Sequence, residues 1–470
     1  MRYLLKRRAV IWLVMACLIV SVPGLGQAPA IRAPAALPVL PTPSQLRWAD
    51  AEIGVIIHLD INIYAPDTYR FGRRETLPPL QVFNPTRLNT DQWIRSAKAA
   101  GAKYAVLVAK HGTGFSLWPT GQHGYNVANT PWKNGKGDIV ADFIRSCRKY
   151  GLSPGIYCST TSNTYYGVHN NVFDDPDSVK VYFKMVLGQL TELYSHYGKL
   201  FEIWYDGGVM PSSKGGISDE VAQLVLTYQD KAILFQGPAV CQNLIRWVGN
   251  EEGRAPYPMW SRTNASTSSN GIAEIKDLNG SPDGRIWCPA ESDFPNRRNS
   301  AWEGGWLWKA GQESEVLPAS ELVSRYYSTV GRNTNMLLGM AIDTSGLFPE
   351  KDSIAFSEFG KEIKRRFDKS LGEISGSGKE LVLNLGRPLV VNQIQLMENM
   401  AKGENIRKYV VEAFKDGAWK IIAQGSSVGH KSILQIEPIT TAKLRLRILE
   451  AFQTPGIRKF SVYDVSTSKM

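Results

Sequence analysis

Residues 103–109 read KYAVLVA, a near-continuous apolar run about one strand long. A strand buried on both faces loses the polar–apolar alternation that a half-exposed strand keeps. Such a run therefore belongs inside a parallel sheet covered by helices. Comparable runs recur at 54–58 (GVIIH), 155–158, 200–206 (LFEIWYD) and 232–235. Between them lie helix-like segments at 89–100, 138–150, 178–197 and 218–229. Asn89 and Asp138 open the first two of these helices, and Gly101 and Gly151 stop them. Weaker strand signals fall at 259–260, 285–289 and 336–338, with a helix at 319–329 before the last. Strand–helix alternation from 50 to 365 predicts a parallel sheet with crossover helices. Up to eight strands favour a closed (β/α)8 TIM-type barrel over an open sheet.

In such a barrel, chemistry is done at the carboxyl ends of the strands. Titratable groups recur at the predicted ends: His58, His111, Asp206 and Glu291. The sharpest case is LFEIWYDGG at 200–208, where Asp206 precedes two glycines that break the strand into a loop. Hydrolysis of a glycoside needs two carboxyl groups. One attacks or stabilises the anomeric carbon, and the other must stay protonated to release the leaving oxygen. Asp206 suits the first role. Glu251 suits the second, because it lies in a loop within RWVGNEEG (246–253) beside Trp247, which can desolvate it. Glu291 is the alternative acid.

The pattern changes after about Leu371. A Gly/Ser-rich joint at 372–378 leads into short alternating runs at 380–385, 393–397, 409–414 and 443–448. Asp416-Gly417 is a hairpin-turn signal between two of them. This predicts a small all-β sandwich. At the other end, Arg2, Lys6, Arg7 and Arg8 precede an apolar stretch at 9–22 and a Pro-Gly and small-residue region, as in a secretion signal. The expected division is a signal peptide at 1–27, a Pro/Ala-rich linker at 28–44, a barrel at 45–370 and a sandwich at 371–470, with order starting near Leu46. The expected location is secreted or periplasmic, and no transmembrane segment is expected once the signal is removed. Losing the signal's four cations takes the formal charge from +11 to +7. With no dense basic run, nucleic acid is not an expected partner. The four remaining cysteines form no CxxC pair, so zinc is not expected, and disulfides stay open. Asn264-Ala265-Ser266 and Asn279-Gly280-Ser281 are glycosylation sequons.

Several long motifs in order carry a family resemblance: FNPTRLNTDQWIRSAKAAGAKY (83–104), KHGTGFSLWPT (110–120), NGKGDIVADFIRSCRKYGLSPGIY (134–157), EIWYDGG (202–208), RWVGNEEG (246–253) and WCPAESD (287–293). The chain resembles the α-L-fucosidases of glycoside hydrolase family 29, and most of all the branch acting on α-1,3/1,4-linked fucose. The resemblance runs from about Trp48 to Arg365 and more loosely beyond. It implies a retaining exo-glycosidase that acts on a fucosylated oligosaccharide or glycoconjugate without metal or organic cofactor. It also implies Asp206 as nucleophile and Glu251 as acid/base. His58, His111, Trp118, Trp204, Glu291 and Trp306 (or Trp308) are the implied substrate-binding residues. The β-sandwich resembles galactose-binding-like modules appended to such barrels. Two departures stand out. The family's H-W-G or H-F-G is here His58-Leu59-Asp60, and its K-H-H-D-G-F is Lys110-His111-Gly112-Thr113-Gly114-Phe115. One imidazole and one carboxylate that hold sugar hydroxyls are thus replaced. This leaves room for an α-L-galactosidase, or for a sugar-binding relative without catalysis.

Overall fold

The computed structural model describes residues 39–264, 278–298 and 305–466. The expected signal and most of the linker lie outside them. Eight parallel strands close into a barrel in sequence order: β1 Ile53–His58, β2 Tyr104–Lys110, β3 Ser153–Cys158, β4 Glu202–Trp204, β5 Ile233–Phe235, β6 Leu244–Trp247, β7 Ala290–Phe294 and β8 Asn335–Ala341. β8 pairs with β1 to complete the ring. The crossover helices include α2 Thr90–Ala99, α3 Ile139–Tyr150, α4 Val179–His196, α5 Ser218–Tyr228, α6 Ala319–Ser328 and α7 Glu350–Phe367. The caps are those the sequence signalled. Asn89 accepts from the Gln92 amide at 3.1 Å, and Asp138 from the Ala141 amide at 2.8 Å.

Two apolar layers form because the strands are buried on both faces. Outside the ring, side chains such as Val55, Leu107, Ile203 and Leu338 pack against the helices. Inside it, Ile56, Tyr104, Val106, Tyr157, Trp204, Phe235 and Leu337 fill the interior. Helix α1, Pro43–Ala51, precedes the barrel and begins earlier than expected. Thr42 and Gln45 make a reciprocal capping box, and proline at the start fits the first turn. α1 lies under the N-terminal ends of the strands. Its Gln45 Nε2 donates to the carbonyl of Leu244 at 2.9 Å, and Trp48 Nε1 donates to Glu202 at 3.0 Å.

Two strand assignments need correction. Residues 259–260 are not a barrel strand, and Ile286–Trp287 pairs antiparallel with Arg262–Thr263 in a separate ribbon. The true β6 and β7 are differently placed, at Leu244–Trp247 and Ala290–Phe294. β5 and β6 are joined by a short loop without a helix, so the alternation that reveals a strand is missing there.

The C-terminal domain is all-β and antiparallel. Its strands are β9 Gly372–Ser377, β10 Glu380–Glu398, β11 Ile406–Lys415, β12 Ala418–Gly425, β13 Ser432–Ala451 and β14 Gly456–Tyr463, in the spatial order β9-β14-β10-β13-β11-β12. β10 absorbs two runs that the sequence reading kept apart. Register shifts after Asn384 and Val391 mark bulges that bend it around Val391, Ile394, Leu396, Tyr409, Leu444 and Phe460. Buried polar contacts join this domain to the barrel. The Glu404 carboxylate accepts from Ser261 N and Oγ and from Asn333 Nδ2, and Glu52 on the barrel side pairs with His430 and Lys431.

Candidate active site

Asp206 stands two residues beyond β4, on the carboxyl-end face of the barrel. Gly207 and Gly208 follow it with φ of 68° and 78°, in the left-handed region that side chains avoid. The chain therefore turns away at once and leaves the carboxylate exposed. Tyr157, at the end of β3, donates its hydroxyl to Asp206 Oδ2 at 2.8 Å. The Asp206 carbonyl accepts from Thr161 Oγ1 at 2.9 Å, and the Gly207 amide donates to Gln236 at 3.1 Å. Burial, followed by the negative charge of Asp206, holds the Tyr157 hydroxyl well above its ordinary range, so it remains a donor. The Tyr157 ring is stacked between His111 (centroids 5.7 Å apart) and Trp204 (5.5 Å), and Trp204 lies flat on Phe235 at 3.7 Å. Trp204 thus supports the tyrosine that bonds Asp206.

Glu251 lies four residues beyond β6 and is half-buried. Burial raises its carboxyl pKa. A hydrogen bond from the Trp306 side chain opposes that shift, and the negative charge of Asp206 adds to it. The last effect means that the two carboxyl groups lie within electrostatic reach of each other on the carboxyl-end face of the barrel. They come from the loops after β4 and β6, with β5 between those strands. The pocket thus holds an exposed carboxylate and a second carboxyl group biased towards its protonated form. Between them, His58 at the end of β1 stacks on Trp306 (5.0 Å) and stands edge-on to His111 (5.9 Å). Burial first, and the neighbouring His111 second, push His58 down to about 3, so its ring is neutral. Among the described residues, its buried Nδ1 has no hydrogen-bond partner. Burial also lowers His111, while Asp206 pulls it back.

The profile of the family described as Alpha-L-fucosidase matches residues 64–366, which span β2 to β8 and both carboxyl groups. The chain belongs to the α-L-fucosidase family. It is an enzyme of glycoside hydrolase family 29. A putative α-L-fucosidase 1 of Oryza sativa subsp. japonica is 31% identical, covering 93% of this chain and 87% of that one. The α-L-fucosidase 1 of Arabidopsis thaliana is 28% identical over 95% of this chain and 92% of its own. Among solved structures, a putative α-L-fucosidase from Bacteroides thetaiotaomicron superposes with a TM-score of 0.84 at 37% identity, covering 91% of this chain and 99% of that one.

Not every residue expected at the α-L-fucosidase pocket reaches it. Glu291 is 0% exposed. It is the second residue of β7, not the residue after a strand, so it points into the barrel below the site. Tyr104 donates to its Oε1 at 2.6 Å and Trp204 Nε1 to its Oε2 at 3.0 Å. Burial raises both Glu291 and its neighbour Glu202, the latter further through the charge of Glu291. Trp118 is also buried, and its indole donates to Glu192 on α4 at 2.8 Å, so it packs the loop and does not line the pocket. Arg297 is buried against Asp352 at 3.0 Å, and Arg298 pairs with Glu321 at 2.6 Å.

The two departures from the family motifs turn out to touch. Asp60, only 2% exposed, accepts from Thr113 Oγ1 at 2.8 and 2.9 Å and from the Ile61 amide at 2.7 Å. A threonine stands where the motif has aspartate, and an aspartate stands where the neighbouring motif has glycine. A carboxylate thus stands in the loop after β1, and none at position 113 in the loop after β2. Burial raises Asp60 to about 7, against the lowering effect of its Thr113 and Ile61 hydrogen bonds. Gly112 replaces the second imidazole, and a Cβ there would sit 2.3 Å from the Phe71 ring. Phe71 therefore takes that space. Sequence flagged both motifs as altered, but nothing in it paired residue 60 with 113 or 112 with 71. Among the described residues, no cluster of three or more His, Cys, Asp or Glu could hold a metal.

Proposed function

We propose that the protein is a secreted or periplasmic retaining exo-glycosidase that releases α-1,3- or α-1,4-linked L-fucose from glycans. The observation that carries this reading is the pairing of Asp206 with a Glu251 carboxyl group biased towards its protonated form. In the first step, an Asp206 oxygen bonds to the anomeric carbon while the glycosidic bond breaks. The Glu251 proton moves to the leaving oxygen. In the second step, a water oxygen attacks the same carbon, its proton passes to Glu251, and Asp206 is released. Two inversions retain the configuration, and a carboxyl separation of ~5–5.5 Å suits this sequence. Tyr157 holds Asp206 aimed at the anomeric carbon, and the neutral His58 offers Nδ1 to a sugar hydroxyl. Secretion rests on the charged and apolar N-terminal sequence.

The test is hydrolysis of α-1,3- and α-1,4-fucosylated oligosaccharides, with the first-formed anomer read by NMR. The α anomer is the expected product, and a β product refutes the retaining route. Asp206→Ala should abolish turnover while sugar binding persists. The exchanged pair Asp60–Thr113 supports a second reading, an α-L-galactosidase, because L-galactose adds one hydroxyl at C6. The matching α-L-galactoside, run beside the fucoside, decides between them by kcat/KM.

A further inference from the structure

The long loop between β1 and α2 carries an exposed aromatic side chain on the catalytic face. Phe71 is 47% exposed although the loop around it is pinned. Thr164 Oγ1 donates to the carbonyl of Gly112 at 2.9 Å, and the same oxygen takes the Gly72 amide at 3.2 Å and meets the Tyr69 hydroxyl at 3.2 Å. These bonds tie the Phe71 loop to the loops after β2 and β3. One ring edge fills the space over Gly112, the residue after His111. His169 meets the ring edge-to-face at 4.7 Å and is itself exposed. A large apolar ring held open to water at a fixed position, next to a sugar pocket, is a binding surface in search of an apolar face. The axial hydrogens of a pyranose ring present such a face.

We propose that Phe71, backed by His169, forms the subsite for the sugar next to the fucosyl unit and stacks on the face of its pyranose ring. This rests on the fucosidase reading above. The charges nearby do not select an anion. Arg70, Arg73 and Arg74 flank the ring on its own loop, but Asp174, Asp175 and Asp177 stand exposed on the loop after β3. Such a mixture suits the hydroxyls of a neutral sugar, which both donate and accept. The substrate class is therefore a fucoside whose leaving group is a sugar ring, not a small alcohol.

The test compares two substrates on one enzyme. α-L-Fucosyl fluoride has no ring in its leaving group, and an α-1,4-linked fucosyl disaccharide has one. In Phe71→Ala, the ratio of kcat/KM for the disaccharide to that for the fluoride should fall about tenfold, carried by KM. Phe71→Leu, which keeps bulk without a flat face, should lower the ratio as well, and Phe71→Trp should restore it. The fluoride serves as internal reference for any loss of folded enzyme. An unchanged ratio in Phe71→Ala, with active wild type, overturns the subsite and leaves the fucosidase reading standing. Failure of the wild type to turn over the fluoride overturns the fucosidase reading, and the subsite with it.

Discussion

Asp60→Asn probes the exchanged carboxylate directly. The Asp60 carboxyl titrates at about 7 in the folded chain, against an ordinary value of 3.8. That difference of about 3 units corresponds to roughly 4 kcal/mol of linkage at ~1.36 kcal/mol per unit. The sign follows from which state holds the proton. Below pH ~4 both states are protonated, and the full stabilising contribution is present. Between pH ~4 and ~7 the unfolded chain releases its proton while the folded chain keeps it, so stability falls. Above pH ~7 the loss is complete and a buried negative charge remains. Asparagine does not titrate. Its carbonyl can take the Ile61 amide, and its amide can donate to Thr113, so the contacts survive. The variant's stability relative to wild type should therefore rise by about 2–4 kcal/mol from pH ~4 to pH ~8. Urea unfolding followed by tryptophan fluorescence across that range measures the difference. A difference independent of pH, or one sloping the other way, would refute the argument that a buried titrating carboxyl lies beneath this pocket.

Tyr157→Phe removes the hydroxyl that holds Asp206. A hydrogen bond to a charged group contributes about 1.5–3 kcal/mol, so kcat should drop by roughly 10- to 100-fold with the fold intact by circular dichroism. Wild-type kcat would mean that this contact positions nothing. Glu251→Gln should remove the alkaline fall of the kcat/KM profile, since the acid must be protonated for the first step and its pKa is raised. It should also cost far less on α-L-fucosyl fluoride than on a disaccharide, and equal losses on both would argue against acid catalysis. Glu404→Ala strands Ser261 N and Asn333 Nδ2 at the domain junction and should cost about 2–4 kcal/mol in urea. A neutral result would show that water replaces the carboxylate there.

The sequence made the front half of the barrel readable because its strands are apolar runs set apart by well-capped helices. Asn89, Asp138 and Gly151 mark boundaries by chemistry that acts within a few residues. Asp206 was legible for the same local reason, a strand ended by two glycines. The back half was less so. β6 follows β5 through a loop, and Ala290–Phe294 reads AESDF, whose acidic residues hide an interior strand. Glu291 looked like a pocket residue because it fell at a predicted strand end. In fact Tyr104 and Trp204 supply the hydrogen bonds that let it stay inside. Partnerships between distant loops, such as Asp60 with Thr113 and Phe71 with Gly112, leave no periodic trace. Only the folded backbone brings them together.

Helix α1 also sets where the polypeptide can be shortened. Trp48 reaches up into the ring to a glutamate on β4, and Gln45 ties down the ends of the strands around it. The segment acts as a cork. Trimming up to Val39 spares it, whereas a start beyond Thr42 removes the helix cap and one beyond Trp48 leaves the bottle open. Water entering from beneath would reach the buried glutamates first, then Trp204, and so disturb Tyr157 and Asp206 without touching a residue at the mouth.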